Sequence, residues 1–130
     1  MGEIVVECGA GTLAAFGETM RCAIGRRGAV PAGQKREGDG ATPLGRWALC
    51  GALLRPGVAP PPPAMPWRWL RPWDGWSDDP ADPAYNRPVC HPHRFSAEHL
   101  WRADAAYDII IVLDCNAACV PGGGSAIFWH

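Results

Sequence analysis

The pattern of apolar and polar positions changes twice along the chain. Over residues 1–54, short apolar runs alternate with glycine turns. Glu3-Ile4-Val5-Val6-Glu7-Cys8 is β-rich, and Gly9-Ala10-Gly11 turns it. Residues 12–16 and 20–24 are two more strand-like runs, separated by Gly17-Glu18, and residues 47–54 are another. Residues 25–40 are Gly-rich and charged, the composition of a surface loop. Frequent turns between short strands predict a mostly-β sandwich or barrel rather than alternating βαβ units.

Residues 55–95 break the pattern. Eleven of the fourteen prolines lie from Pro56 to Pro92, and Pro60 to Pro63 form a run that local sterics extend. Trp67, Trp69, Trp73 and Trp76 crowd the same stretch. This predicts a long irregular insertion, of the kind that serves as a lid or binding element. Its tryptophans either pin the loop to the core or form a platform that stacks on sugar rings. Regular structure returns at residues 96–130. Ser96-Ala97-Glu98-His99-Leu100-Trp101-Arg102 predicts one or two helical turns with Ser96 as N-cap. Residues 107–113 are nearly all apolar and β-branched, which predicts a central strand buried on both faces. Residues 114–124 read as a loop and 125–129 as a second strand, ending on His130.

Composition narrows the function classes. A chain of 130 residues fits one domain, and 48% hydrophobic against 19% charged residues can bury a core. A net charge of -1 argues against indiscriminate nucleic-acid binding, which needs a large basic field. The seven Lys/Arg against five Asp/Glu in the first 55 residues read as a solvated face. No apolar run is long enough to span a bilayer. The N-terminus does not read as a signal peptide, because it lacks a basic head and Glu3 and Glu7 interrupt its apolar stretch. Of the six cysteines, Cys8, Cys22 and Cys50 sit in apolar, strand-like surroundings, so buried thiols are expected ahead of a disulfide framework.

The most specific stretch runs from Gly33 to Trp47. Glycines and Pro43 set a tight path, and Asp39 and Thr42 have short side chains able to bond backbone amides and lock the turn. It is not a P-loop, since no Gly-Lys-Ser/Thr follows the glycines, and Gly9-x-Gly11 is too short a signal for a dinucleotide site. No cofactor is implied.

Three separated segments, "KREGDGATPLGRW", "DGWSDDPADPAYNRPV" and "VPGGGSAIFWH", resemble motifs of the L,D-transpeptidase (YkuD-like) catalytic domain in its short, single-domain bacterial members. The likeness runs from about Met20 to His130. It implies a mostly-β fold with a mixed, sandwich-like sheet. It also implies acyl transfer between peptidoglycan stem peptides through a cysteine acyl-enzyme, in the cell envelope or periplasm. His130 matches the family's catalytic histidine, the general base. Tyr85, Asn86 and Arg87 fall in the second segment and are candidates to line the cleft. The family's cysteine follows the histidine in a Ser/Thr-x-Gly-Cys type motif. The chain is therefore expected to be one domain incomplete at its C-terminus, inactive as written, with an apolar strand edge exposed near residues 125–129. Cys115 and Cys119 match positions away from the nucleophile's slot.

Two other readings stay open. Cys90-x-x-His93 and Cys115-x-x-x-Cys119 have zinc-ligand spacing and together would close a Cys3His structural site. The Trp67–Trp76 cluster would suit a non-catalytic module that binds cell-wall glycan. His91, His93 and His99 read as surface or satisfied side chains.

Overall fold

The computed structural model describes residues 3–60 and 64–130. Pro61, Pro62 and Pro63 of the proline run lie outside the described residues. The fold is mostly β, and it divides into two compact units, Met1–Gly45 and Arg46–His130.

The first unit opens with a meander of β1 (Val5–Glu7), β2 (Thr12–Ala15) and β3 (Glu18–Arg21), all antiparallel. Ala15 pairs with Glu18, so Phe16-Gly17 is the whole turn. Both residues have positive φ (54° and 78°), which a tight two-residue hairpin of this hand requires. That turn places the strands at 12–15 and 18–21 rather than 12–16 and 20–24. β4 (Ala29–Pro31) and β5 (Thr42–Leu44) then pair in parallel, bridged by the loop that contains the Gly33–Trp47 motif's polar core. Asp39 locks this loop. Its carboxylate accepts from the Arg36 and Ala41 amides at 2.9 and 3.0 Å and is paired with Lys35. Thr42 Oγ1 accepts from the Gly25 amide at 2.7 Å. Gly25 runs so close to the Gly40-Ala41 backbone that an added Cβ would meet the Gly40 carbonyl oxygen at 2.5 Å. The residue types that mark the motif in the sequence are therefore the ones that hold its path.

The second unit contains β6 (Leu49–Leu54), β7 (Trp67–Trp69), β8 (Asp74–Ser77), β9 (Pro88–Cys90), β10 (Ala97–His99), β11 (Ile109–Leu113) and β12 (Phe128–Trp129). They form a mixed sheet, β12-β11-β6-β7, and an antiparallel sheet, β10-β8-β9. Only the β6–β7 pair of the larger sheet is parallel. Leu53 and Ile110 from the larger sheet meet Trp76 from the smaller one, with Leu70, Leu100 and Tyr107, in a single core. Burying side chains of this size contributes roughly 1.5–3 kcal/mol each.

Several expectations are corrected here. Residues 55–95 are not an irregular insertion: β7, β8 and β9 lie within them. Proline density hides these strands because each is only three or four residues long. Pro88 is tolerated at the first position of β9, which lies at a sheet edge. Residues 96–102 are not helical. Ala97–His99 pairs with β8, and backbone pairing overrides a weak local helix preference. Among the described residues the one helical element is the 3-10 turn Ala32–Gln34. β11 is central, as expected, but only Ile110 is fully enclosed, while Ile109 is exposed. Cys50 is exposed rather than buried, and Cys8 and Cys22 are half-buried. Leu113 pairs with Leu49 and Val112 with Gly51, so Cys50 is the extra residue of a bulge that turns it outward. The cysteines carry no disulfide among the described residues.

The smaller sheet is tied to the larger by Asp74, which is 2% exposed. Arg68 of β7 grips its carboxylate with both terminal nitrogens at 2.8 and 3.1 Å. Arg71 adds its amide at 2.7 Å and its guanidinium at 3.0 Å. Burial pushes Asp74 up, but the bonds from Arg68 and then Arg71 outweigh it and hold the carboxyl below its ordinary range. Asp74→Asn keeps the shape and removes the charge both arginines face. It should lower unfolding stability by about 2–3 kcal/mol, since both guanidiniums keep some access to water. Urea denaturation measures this, and a loss below about 0.5 kcal/mol would show that the clamp is not what holds the sheets.

Candidate functional site

β12 is short, and what positions it is polar. Asn86, at φ 56°, sits at the junction. Its side-chain oxygen accepts from Trp76 Nε1 at 2.8 Å and from the Ala126 amide at 3.1 Å. Its Nδ2 donates to the Asn116 carbonyl at 2.9 Å. Asn116, at φ 50°, in turn donates from Nδ2 to the Gly124 carbonyl at 2.9 Å and accepts from the Val120 amide at 3.1 Å. Tyr85, almost fully buried, accepts from the Gly124 amide at 2.9 Å. Asparagine tolerates the left-handed region better than most residues, which suits it to both corners. The loop between β11 and β12 is thus pinned at both ends before β12 begins.

β12 then pairs with β11, Phe128 opposite Val112 and Trp129 opposite Ile111, and delivers His130. Phe128 and His130 both meet the Tyr107 ring edge-on, with centroids 6.0 and 5.0 Å apart. His130 Nδ1 lies 2.8 Å from the Ala106 carbonyl oxygen. A carbonyl can only accept, so Nδ1 carries the proton and the lone pair of the neutral ring is on Nε2.

The cradle around His130 is itself braced. Asp104 accepts from the Ala106 amide at 3.1 Å, and Arg102 grips the same carboxylate at 2.9 and 2.6 Å. Arg102's bond and then Ala106's hold the Asp104 carboxyl down to about 2. Tyr107 donates its hydroxyl to Glu98. Burial first, then that bond, push the phenol up, so it stays a neutral donor. Arg102, Asp104, Ala106 and Tyr107 were not candidates in the sequence. The signal available was Asp104 followed by two small residues, a turn pattern.

The other sequence candidates fall elsewhere. Tyr85 and Asn86 hold the loop, and Asn86 also lines a cleft. Arg87 is exposed and borders the same cleft, of about 210 Å³, that is also lined by Trp76, Phe128, Cys50, Cys115 and Cys119. His130 does not line that cleft. Cys119 directs its thiol to the Asn86 and Ala117 carbonyls. Among the described residues no group of three His, Cys, Asp or Glu side chains is placed to hold a metal, so Cys90, His93, Cys115 and Cys119 do not form the Cys3His site. His93 Nε2 is instead bonded to Asp82 at 2.6 Å, and Ser77 donates to the same oxygen at 2.6 Å. Serine and histidine both bond the carboxylate, not each other, so this is not a nucleophile–base arrangement. Trp76 is in the core, while Trp67, Trp69 and Trp73 remain partly exposed, so the four tryptophans make no single platform.

The bonds to Asp82 also set an acid limit. Burial pushes Asp82 up, but His93, Ser77 and the Ala84 amide bring it down to about 2. Asp39 is held at about 2 by Lys35 and the Arg36 amide. An unfolded aspartate titrates near 3.8. Such depressed carboxyls stabilise the fold fully above about pH 5 and lose that contribution as pH falls toward 2. The thermal midpoint should therefore drop steeply between pH 4.5 and 2, and Asp82→Asn should flatten part of that drop while lowering the plateau. A midpoint that is unchanged down to pH 2.5 would rule out these carboxylates as the source.

Searches against family models, curated proteins and solved structures found no match to this chain.

Proposed function

We propose that this chain is the greater part of an L,D-transpeptidase-like catalytic domain acting on peptidoglycan stem peptides, with His130 as general base. The observation that carries the reading is the Nδ1 bond of His130 to the Ala106 carbonyl, which leaves Nε2 as the proton acceptor. A thiol has a pKa near 8.5, so it needs such a neighbour to become a nucleophile at neutral pH. The resemblance assigns that thiol to a Gly-Cys motif on the C-terminal side of His130.

In this mechanism Nε2 takes the thiol proton as sulfur attacks the stem-peptide carbonyl. The C–S bond forms, the C–N bond breaks, and the same proton passes to the departing amine. The acceptor amine then attacks the thioester, a C–N bond forms, the thiolate leaves, and His130 mediates the returning proton. Tyr107 and Ala106 fix the ring for both transfers.

Exchange of a non-native D-amino acid into a purified muropeptide tests this. The 130-residue chain alone should give no exchange, and the polypeptide continued through a Gly-Cys motif should give it. His130→Ala in that longer chain should lower the rate by roughly 10²–10⁴-fold. Robust exchange by the 130 residues alone, or an unaffected His130→Ala variant, would overturn the assignment.

A further inference from the structure

On the smaller sheet of the second unit lies an open groove of about 610 Å³, lined by Pro72, Trp73, His91, Pro92, His93 and His99. We propose that it binds the neutral pyranose rings of a glycan, and that the glycan is the strand to which the stem peptides are attached. The identity of the glycan rests on the function proposed above, whereas the preference for a neutral sugar rests on the groove.

The groove is built rather than incidental. The His91 and His99 rings stack 3.6 Å apart at 9°. They do so across Gly75, which pairs with His99 and whose missing side chain makes the room. A Cβ there would stand 2.5 Å from His91 Nε2. The His91 amide donates to the Trp73 carbonyl at 2.8 Å, tying the two walls together. Trp73 is 49% exposed.

Its chemistry selects the ligand. None of the lining residues carries a carboxylate, ammonium or guanidinium group. The neighbouring charges are already engaged, Arg71 by Asp74 and Asp82 by hydrogen bonds from His93 and Ser77. A charged ligand would therefore find no carboxylate, ammonium or guanidinium partner among the lining residues. A chelated metal is also disfavoured, because imidazole lone pairs lie in the ring planes and two parallel stacked rings cannot aim them at one ion. A sugar ring fits on both counts. Its C–H face suits an exposed indole, and its hydroxyls, which donate and accept, suit the imidazole ring nitrogens of the lining histidines. His93 keeps Nδ1 for this, since its Nε2 serves Asp82, and neither ring nitrogen of His99 has a partner among the described residues. A proline-rich peptide would match the indole but offers few donors to the imidazoles.

The test is calorimetric titration of the 130-residue chain with the N-acetylglucosamine tetramer, with the Trp73 indole N–H followed by NMR. Saturable binding and a shift of that resonance are expected. Trp73→Ala should raise Kd by roughly three- to ten-fold and Trp73→Phe by less. Trp69→Ala should leave Kd unchanged, as Trp69 does not line the groove. Trp73→Ala keeps the backbone carbonyl that holds His91, and its melting temperature verifies that the variant is folded. No saturable binding by folded protein, or an unchanged Kd in Trp73→Ala, overturns the site. Equal affinity for cellotetraose overturns the assignment to the peptidoglycan strand, and tighter binding of a decaproline peptide overturns the ligand class. His130→Ala in the longer chain should lose acyl exchange and retain tetramer binding. Failure of the catalytic reading is thus separable from failure of this one.

Discussion

The second unit depends most on the side chain of one asparagine. Asn86 offers an oxygen with two lone pairs and an amide with two hydrogens, and the structure uses three of these four valences across three elements. Trp76 Nε1 ties it to the core, the Ala126 amide to the start of β12, and the Asn116 carbonyl to the intervening loop. A two-residue strand cannot hold its own register by ladder bonds alone. The position of His130 is therefore inherited from Asn86, through Ala126 and Phe128, rather than from β12 itself. A hydrophobic residue of similar size would satisfy the core and leave the indole, an amide and a carbonyl unpaired. The cost of leaving such part-buried groups without partners exceeds the gain from making any one of the bonds.

Three aspartates show how differently one residue type is used. Asp74 is enclosed and shared by two arginines, so it joins the two sheets. Asp82 gathers a serine and a histidine from its own segment, so it closes a loop. Asp104 is exposed and bonds an amide two residues on, so it shapes a turn. In each case the partner set, not the carboxylate, decides the role, and partner sets are long-range facts. This is why the sequence reading of "DGWSDDPADPAYNRPV" as one signature conceals three structural devices, at Asp74, Asp82 and Asn86, and one exposed cation, Arg87.

What was legible in the sequence followed local physics. The β-branched run around Ile110 reads as a central strand because its burial and its stiffness agree. Asp39 and Thr42 read as turn locks because their partners lie within a few residues or across a close glycine. The helix expected over 96–102 failed for the opposite reason. Ser96, Ala97 and Glu98 satisfy a local rule, but Glu98 faces Trp76 across the sheet and reaches Tyr107, and that pairing is invisible locally. The same applies to the proline-rich stretch, where composition masks strands too short to show a period. At the candidate site, the resemblance pointed to His130, while its partners did not stand out. A backbone carbonyl carries no side-chain signature, and Ala106 is unremarkable until the turn around it is seen.

Under the proposed function, that carbonyl has a consequence for how His130 would act as a base. In a serine–histidine–aspartate triad, one carboxylate both orients the imidazole and compensates the charge that develops on it. At His130 a neutral carbonyl orients the ring and sets the tautomer. It brings no formal charge. The nearest carboxylate in the chain of bonds is Asp104, one peptide group away and already neutralised by Arg102. Tyr107 presents its ring to His130 edge-on while its hydroxyl is turned to Glu98, so it adds shape rather than charge. Orientation and charge compensation are therefore separated at this site. In the proposed mechanism, the imidazolium formed when Nε2 takes a proton would be balanced by the nucleophile it has just ionised. A histidine–thiolate couple does this without a third charge, which a serine alkoxide cannot, and the carbonyl-oriented His130 is accordingly better matched to a cysteine than to a serine.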